Sequence, residues 1–362
     1  MTNQSLPWSV DVVVVGAGII GASIAHHLAL RGVSAAVLEQ APGPAAGATR
    51  HSGGMVRAYD PNEVISDLAR ASLAMYRDAA RWASGTSPLR AVGAVTIADA
   101  ADETRLRRAA RRINEGQGTA AEVVVDRDEV MGVTLGGGIA LVEGDAGWVP
   151  PPEVTDDLLQ QAVQRGASVY YGVPVRELKS QGGRPVVITS AGNLNAGVVV
   201  LAQGPWAARP LPGLVPRERS HSRSIQVSIV RRPLAAAAHA TFIDLRTGVY
   251  GKPADAGRSL VGMPHLEWDT PVDAAPDPAH SQATLRAAAR YLPWIQDRPG
   301  ESALRSADGY GQGDGLLGDT NVPNVLTVRP WNGGGVKAAP EAGRRIADAC
   351  LSRLPAPVLP ER

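Results

Sequence analysis

The hydrophobic pattern is most legible near the start of the chain. There the β-branched run Val10-Asp-Val-Val-Val-Val15 gives way to Gly16-Ala-Gly18-Ile-Ile-Gly21, an Ala-rich stretch and Arg31-Gly32. A near-continuous apolar run predicts a strand buried on both faces, and residues 22–30 have helical composition with Gly32 as their stop. Residues 34–39 then read as a second strand. Strand, glycine turn, helix and strand make a βαβ unit, which implies a parallel sheet with a right-handed crossover. Val64, Leu68, Ala71, Met75, Ala79 and Trp82 recur at helical spacing and predict a helix over 61–84 with that stripe buried. Further helices are expected over 102–115, 153–165, 279–292 and 336–354, the second of them after the break at Pro150-Pro151-Pro152. Strands are expected over 93–98, 168–171, 173–178, 185–189, 196–202, 224–231, 240–245, 249–252, 258–263 and 324–328.

Gly16, Gly18 and Gly21 form G-x-G-x-x-G directly after a buried strand. The first glycine allows the tight turn, the second lets backbone N–H groups approach a pyrophosphate, and the third lets helix and strand pack closely. Glu39, at the end of the second strand, is placed to bind ribose hydroxyls and to repel a 2′-phosphate. Dinucleotide binding follows; the motif alone does not separate NAD from FAD. With nucleotide-type units at both ends and β-rich material between, the expected fold is α/β (α+β overall). A discontinuous Rossmann-like domain comprises 9–84, 143–218 and 305–354. An antiparallel-sheet substrate domain comprises 85–142 and 219–304, and residues 355–362 form a tail.

Composition narrows the partners. The 36 Lys and Arg against 35 Asp and Glu leave a formal charge of +1, so no global field recruits nucleic acid or an acidic membrane. The single cysteine, Cys350, excludes an intramolecular disulfide framework and any multi-cysteine metal site, and no metal site is predicted. Without a signal-like start or a long apolar run, the expected location is cytoplasmic. The basic run Arg105, Arg107, Arg108, Arg111 and Arg112 lies opposite Leu106, Ala110 and Ile113 and reads as the solvated face of an amphipathic helix.

The segment after Glu39 does separate the cofactors. Gly47-Ala-Thr49-Arg50-His51-Ser52-Gly53-Gly54-Met-Val-Arg57 puts small, hydroxyl and basic groups where an NAD domain would run into another helix. Here the chain resembles the D-amino-acid oxidase superfamily of FAD enzymes, in its sarcosine oxidase and glycine oxidase branch. The resemblance runs from about Val10 to Leu354. It also takes in Gly144-Asp-Ala-Gly147-Trp148-Val-Pro150, Val198-Val-Val-Leu-Ala202-Gln-Gly204-Pro-Trp206, Asp314-Gly-Leu-Leu-Gly318 and Asn332-Gly333-Gly334-Gly335-Val336-Lys337.

The resemblance implies FAD held by Gly16, Gly18, Ile19, Ile20, Gly21, Glu39, Gln40, Thr49, Arg50, His51, Ser52, Gly53 and Gly54. It adds Val173, Pro174, Ala202, Gly204 and Trp206, and the run from Asn332 to Lys337 along the flavin pyrimidine edge. The family's tethering cysteine falls near Ser306, so the FAD is expected to be non-covalent. Arg57 and Lys337 stand where the branch clamps the substrate carboxylate, Tyr250 where it has a pocket tyrosine, and His265 close to a pocket histidine. The branch's oxygen-assisting lysine is replaced by Leu260 or Val261, which leaves Lys252 as the candidate cation. Arg217, Arg219 and Arg223, around His221, receive no role.

The implied activity is oxidation of the C–N bond of an amino acid or N-substituted amino acid. Hydride passes to flavin N5, an imine forms, and oxygen or another acceptor reoxidises the flavin. The alternatives are a 2-hydroxy acid or amine dehydrogenase using an acceptor other than oxygen, or a flavin-binding subunit of a larger complex.

Overall fold

The computed structural model describes residues 6–115, 120–236, 238–254, 257–296, 298–312 and 316–354. The expected tail 355–362 and the Asp314-Gly315 pair lie outside the described residues. The leading apolar run forms β1 (Ser9–Val15), followed by α1 (Ile19–Ala29) and β2 (Ala35–Glu39). β1 lies between β2 and Gly192–Leu201, parallel to both, and Ser168–Tyr171 pairs with β2 on its outer edge. Val325–Val328 runs parallel to the C-terminal part of Gly192–Leu201, while Arg184–Thr189 and Val175–Gln181 continue the edge antiparallel.

Alternation along β1 divides its side chains between two cores. Val12 and Val14 pack into one apolar cluster, Val13 and Val15 into another. That two-sided burial is why the run carries almost no polar residue.

The remaining helices are α2 (Ala48–His51), α3 (Glu63–Arg77), α4 (Glu103–Asn114), α5 (Pro151–Gln164), α6 (Pro278–Ala288) and α7 (Gly335–Leu351). α1 packs against both α5 and α7. Among the described residues no helix is long and apolar enough to cross a membrane. The basic run of α4 faces solvent and is neutralised locally, Arg107 with Glu103 at 2.7 Å and Arg112 with Glu63 at 3.0 Å. Leu106, Ala110 and Ile113 are its buried face, as the pattern requires.

A second sheet runs in the order Ser302–Gly311, Ser220–Arg231, Arg258–Gly262, Tyr250–Ala254, Thr241–Asp244, Ala94–Ala98, Ile139–Glu143 and Ala121–Val124. Its pairs are antiparallel except Thr241–Asp244 with Ala94–Ala98, which is parallel. Ser302–Gly311 pairs along its whole length with Ser220–Arg231, so residues 305–311 sit in this sheet and not in the first.

Two expectations change. The helix expected over 61–84 is shorter and rotated: Asn62 Oδ1 accepts from the N–H groups of Val64 and Ile65 and fixes its start, and extended backbone at Asp78 ends it. Its buried face is Ile65, Leu68, Ala69, Ser72, Leu73 and Tyr76, while Val64 is 40% exposed. Ser72 and Tyr76 tolerate burial because each finds a polar partner on α7. The Ser72 hydroxyl accepts from the Glu341 N–H at 3.0 Å, and the Tyr76 hydroxyl donates to the Val336 carbonyl at 2.7 Å. The second-sheet strands Ala121–Val124, Ile139–Glu143 and Ser302–Gly311 were not expected.

Candidate active site

A cleft of about 270 Å3 opens at the carboxyl ends of the parallel strands and is lined by Gly16, Gly18, Ile19, Ile20, Glu39 and Gln40. Gly16 has φ of 109°, a left-handed conformation that favours glycine, and a Cβ there would lie 2.5 Å from the Ala202 carbonyl oxygen. At Gly18 a Cβ would meet only the Thr49 hydroxyl, at 3.3 Å, so the space above it is open toward the cleft.

The first turn of α1 holds no acidic residue, and Gly18, its N-cap, makes no side-chain capping bond. The Ile19 N–H donates to Thr49 Oγ1 at 3.2 Å. Backbone donors at a positive helix end, a glycine with room above it, and an adjacent carboxylate fit the pyrophosphate and ribose of a dinucleotide. Glu39 is the carboxylate. It is buried and accepts from the N–H groups of Ala17 at 2.7 Å and Ala41 at 2.8 Å, which fixes its orientation and leaves lone pairs for hydroxyls.

Thr49, Val173, Ala202, Gly204, Trp206 and Gly335 also line the cleft, and Ser52, Gly333 and Val336 line both it and the cavity beyond. His51, Gly53, Gly54, Asn332, Gly334 and Lys337 face only that cavity. Three expected contacts lie outside both. Gly21 is buried under the turn, where a Cβ would stand 2.0 Å from the Gly16 carbonyl oxygen, so its role is packing. Arg50 points to solvent from α2. Pro174 alternates with Val173 and Val175, which take the cleft side.

The adjoining cavity, about 420 Å3, lies against the second sheet and carries the charged groups. Arg57 is 8% exposed, lines this cavity, and its buried Nε–H has no hydrogen-bond partner among the described residues. The backbone that carries it is clamped by a residue the sequence did not suggest. The buried Glu143 carboxylate accepts from Ala58 N–H at 2.6 Å and Tyr59 N–H at 3.0 Å, and burial pushes its pKa up.

Lys337 also lines the cavity, but its ammonium is paired with Asp60, again unforeseen. Burial and then the charge of Arg57 bring Lys337 down to about 8, with Asp60 opposing them. Burial pushes the Asp60 carboxyl up, yet Lys337 outweighs it and holds the group below its ordinary value. The expected two-cation clamp is therefore a guanidinium with no ion pair among the described residues beside a neutralised ion pair.

Tyr250 lines the cavity and packs against Gly262 on the neighbouring strand, where a Cβ would meet its ring at 2.3 Å. His265 reaches the cavity with its ring held from behind. Its Nδ1 is 3.0 Å from Ser224 Oγ, its Nε2 is 3.1 Å from Glu267 Oε1, and His280 stacks on it with centroids 4.0 Å apart.

Lys252 lines neither cavity. It shares the face of Tyr250 but lies one step further along the strand, buried, with its ammonium 3.4 Å from the Trp148 ring centroid. Leu260 is its cross-strand partner. Ser306 is buried with an unpartnered hydroxyl and lines neither cavity, and Cys350 packs in the core away from both. Asp308 was also missed. It lines the cleft and the cavity, accepts from the Gly309 N–H at 2.8 Å, and is raised by burial to about 6.

Comparison with known proteins agrees with this geometry. Residues 11–349 match the family described as FAD dependent oxidoreductase. Among curated relatives, 4-methylaminobutanoate oxidase (formaldehyde-forming) from Paenarthrobacter nicotinovorans is 26% identical over 98% of this chain and 45% of that protein. The chain thus spans about half the length of that relative. Among solved structures, glycine oxidase from Geobacillus kaustophilus superposes with a TM-score of 0.78 at 22% identity, covering 96% of this chain and 95% of that one. L-proline dehydrogenase from P. horikoshii gives 0.79 at 18% identity, covering 97% and 95%.

Proposed function

The chain belongs to the FAD dependent oxidoreductase family, and on that premise we propose that it oxidises the C–N single bond of a small amino acid or N-substituted amino acid in the cytoplasm. The observation that carries this reading is the buried Arg57 guanidinium, without a hydrogen-bond partner at its Nε, in a cavity that adjoins the dinucleotide cleft. The relatives named above act on amines or amino acids, which agrees with a carboxylate-recognising cavity.

Bound FAD supplies a two-electron acceptor for the hydride of the substrate α-carbon. The chain's own part is positional. Arg57 takes the carboxylate through a charge-assisted fork, Tyr250 walls the cavity, and the apolar surfaces of Ile225, Val227, Ile243 and Leu304 exclude water around the amine. Nothing in this arrangement needs a nucleophile or a metal.

The test is anaerobic addition of N-methyl, cyclic and primary amino acids to purified holoenzyme. At least one class is expected to bleach the oxidised-flavin absorbance; bleaching only by 2-hydroxy acids, or by nothing, refutes the proposal. Acid denaturation of the same protein is expected to release the FAD, because Cys350 is buried away from the cleft and Ser306 faces neither cavity. Flavin that stays with the precipitate overturns the non-covalent assignment and points to His51, the imidazole beside the cleft.

A pH dependence follows from Lys337, which loses its proton at about 8. Below that value its charge adds to the field of Arg57. Above it the pair with Asp60 becomes a net negative charge beside the site. The dissociation constant for acetate, read from the perturbed flavin spectrum, is therefore expected to be flat between the ionisation of Asp308 at about 6 and that of Lys337, and to rise through about 8. A constant value across that range would show that the Lys337 proton contributes nothing to carboxylate binding.

A further inference from the structure

The proposed reaction uses one cation, Arg57, yet the same cavity is lined by a second guanidinium with no assigned role. Arg223 stands on Ser220–Arg231, with its Cζ 3.7 Å from the Tyr310 ring centroid and 5.7 Å from that of Trp268. Its Nη2 donates to the Tyr310 hydroxyl at 2.6 Å, while its buried Nε–H has no partner. No carboxylate pairs with it among the described residues. Asp308 is its register partner on the adjacent strand but forms no ion pair with it, and Asp60 is taken by Lys337.

We propose that Arg223 is a second carboxylate anchor, so that the substrate is an amino or imino dicarboxylate held at one end by Arg57 and at the other by Arg223. This rests on the reading of the cavity as a C–N oxidation site.

Two guanidinium groups that form no ion pair among the described residues line one cavity, offset only by the longer-range charges of Glu143 and Asp60 on Arg57 and of Asp308 on Arg223. A monocarboxylate satisfies one of them, whereas a ligand with two carboxylates satisfies both. Arg223 is also pre-organised to receive an anion. The Tyr310 bond and the two aromatic faces fix the guanidinium plane, so little rotamer freedom is lost when a carboxylate docks. A guanidinium that served only to hold Tyr310 would not need to line the cavity.

The test is calorimetric titration of dithionite-reduced holoenzyme, which cannot turn the ligands over. Sarcosine, iminodiacetate and N-(2-carboxyethyl)glycine share one amino-acid end and differ by a second carboxylate at two spacings. The wild type is expected to bind at least one of the two dicarboxylates about tenfold or more tighter than sarcosine. In Arg223→Met that preference collapses toward unity while sarcosine affinity changes less than about threefold, and Arg223→Lys restores part of it.

No preference in the wild type overturns the proposal. So does a preference that survives Arg223→Met, or an equal loss for all three ligands, which marks a merely structural arginine. Because binding is read without turnover, a positive result here with no amine bleaching the flavin would leave the anchor standing and refute the oxidation reading alone.

Discussion

Replacing Arg57 by alanine is expected to raise the dissociation constant for acetate by about 10- to 1,000-fold, with FAD content unchanged. The effect is large because the guanidinium is already desolvated: Arg57 is only 8% exposed, so a carboxylate arriving at the part that faces the cavity displaces little water. Lys337 cannot substitute, since its ammonium is spent on Asp60, and acetate held at Arg223 would sit at the other end of the proposed substrate, away from the position that Arg57 gives it. FAD content is insulated because Arg57 faces the cavity and not the cleft. A second readout separates loss of the clamp from disorder of the loop. The charge of Arg57 is one of the forces holding Lys337 low, so the pH at which acetate affinity falls should move upward in the variant. Unchanged acetate binding with intact flavin would place the carboxylate site elsewhere.

The dinucleotide end of the molecule was legible from residue order alone, because its chemistry is local. Buried strand, glycine turn and helix lie within a few residues of each other, and Glu39 reaches back only to the Ala17 N–H. The cavity end was legible only in part. Arg57, Lys337, Tyr250 and His265 all line it, but what each can do depends on partners brought in by tertiary pairing. Asp60 and Lys337 are 277 positions apart, and nothing near either one announces that the ammonium is neutralised. Glu143 and Asp308 occupy strands that were not expected.

Ser302–Gly311 reads Ser-Ala-Leu-Arg-Ser-Ala-Asp-Gly-Tyr-Gly, a run without the apolar alternation that marks a strand. It is held instead by pairing along its full length with Ser220–Arg231, the strand that carries Arg223. The misplaced stripe on α3 has the same origin: Ser72 and Tyr76 look polar in sequence and are buried because α7 supplies their partners. Hydropathy prices a side chain before its partner is known, so it errs where burial is conditional on a hydrogen bond.

The glycine motif itself predicts the largest loss of structure. Gly21→Ala should fail to yield folded holoenzyme, whereas Gly18→Ala should fold and bind FAD more weakly. The two substitutions add the same methyl group to the same motif, and the difference lies in what it meets. At Gly21 it would sit 2.0 Å from the Gly16 carbonyl oxygen and 3.1 Å from the carbonyl carbon, both backbone atoms of a turn that is itself pinned by the Gly16 N–H bond to Leu38 O at 2.8 Å. No side chain can swing away, so the helix must lift from the strand, an overpacking cost expected to exceed about 3 kcal/mol. At Gly18 the methyl group meets only the Thr49 hydroxyl, at 3.3 Å, a contact that a small rotation relieves. What the methyl then obstructs is the approach of the pyrophosphate to the backbone N–H groups of the first turn. Thermal melts of the two apoproteins, followed by FAD titration of whichever remains folded, decide the matter. A Gly21→Ala protein with wild-type stability would mean that the third glycine is not a packing requirement, and a Gly18→Ala protein with undiminished FAD affinity would mean that the pyrophosphate does not approach this turn.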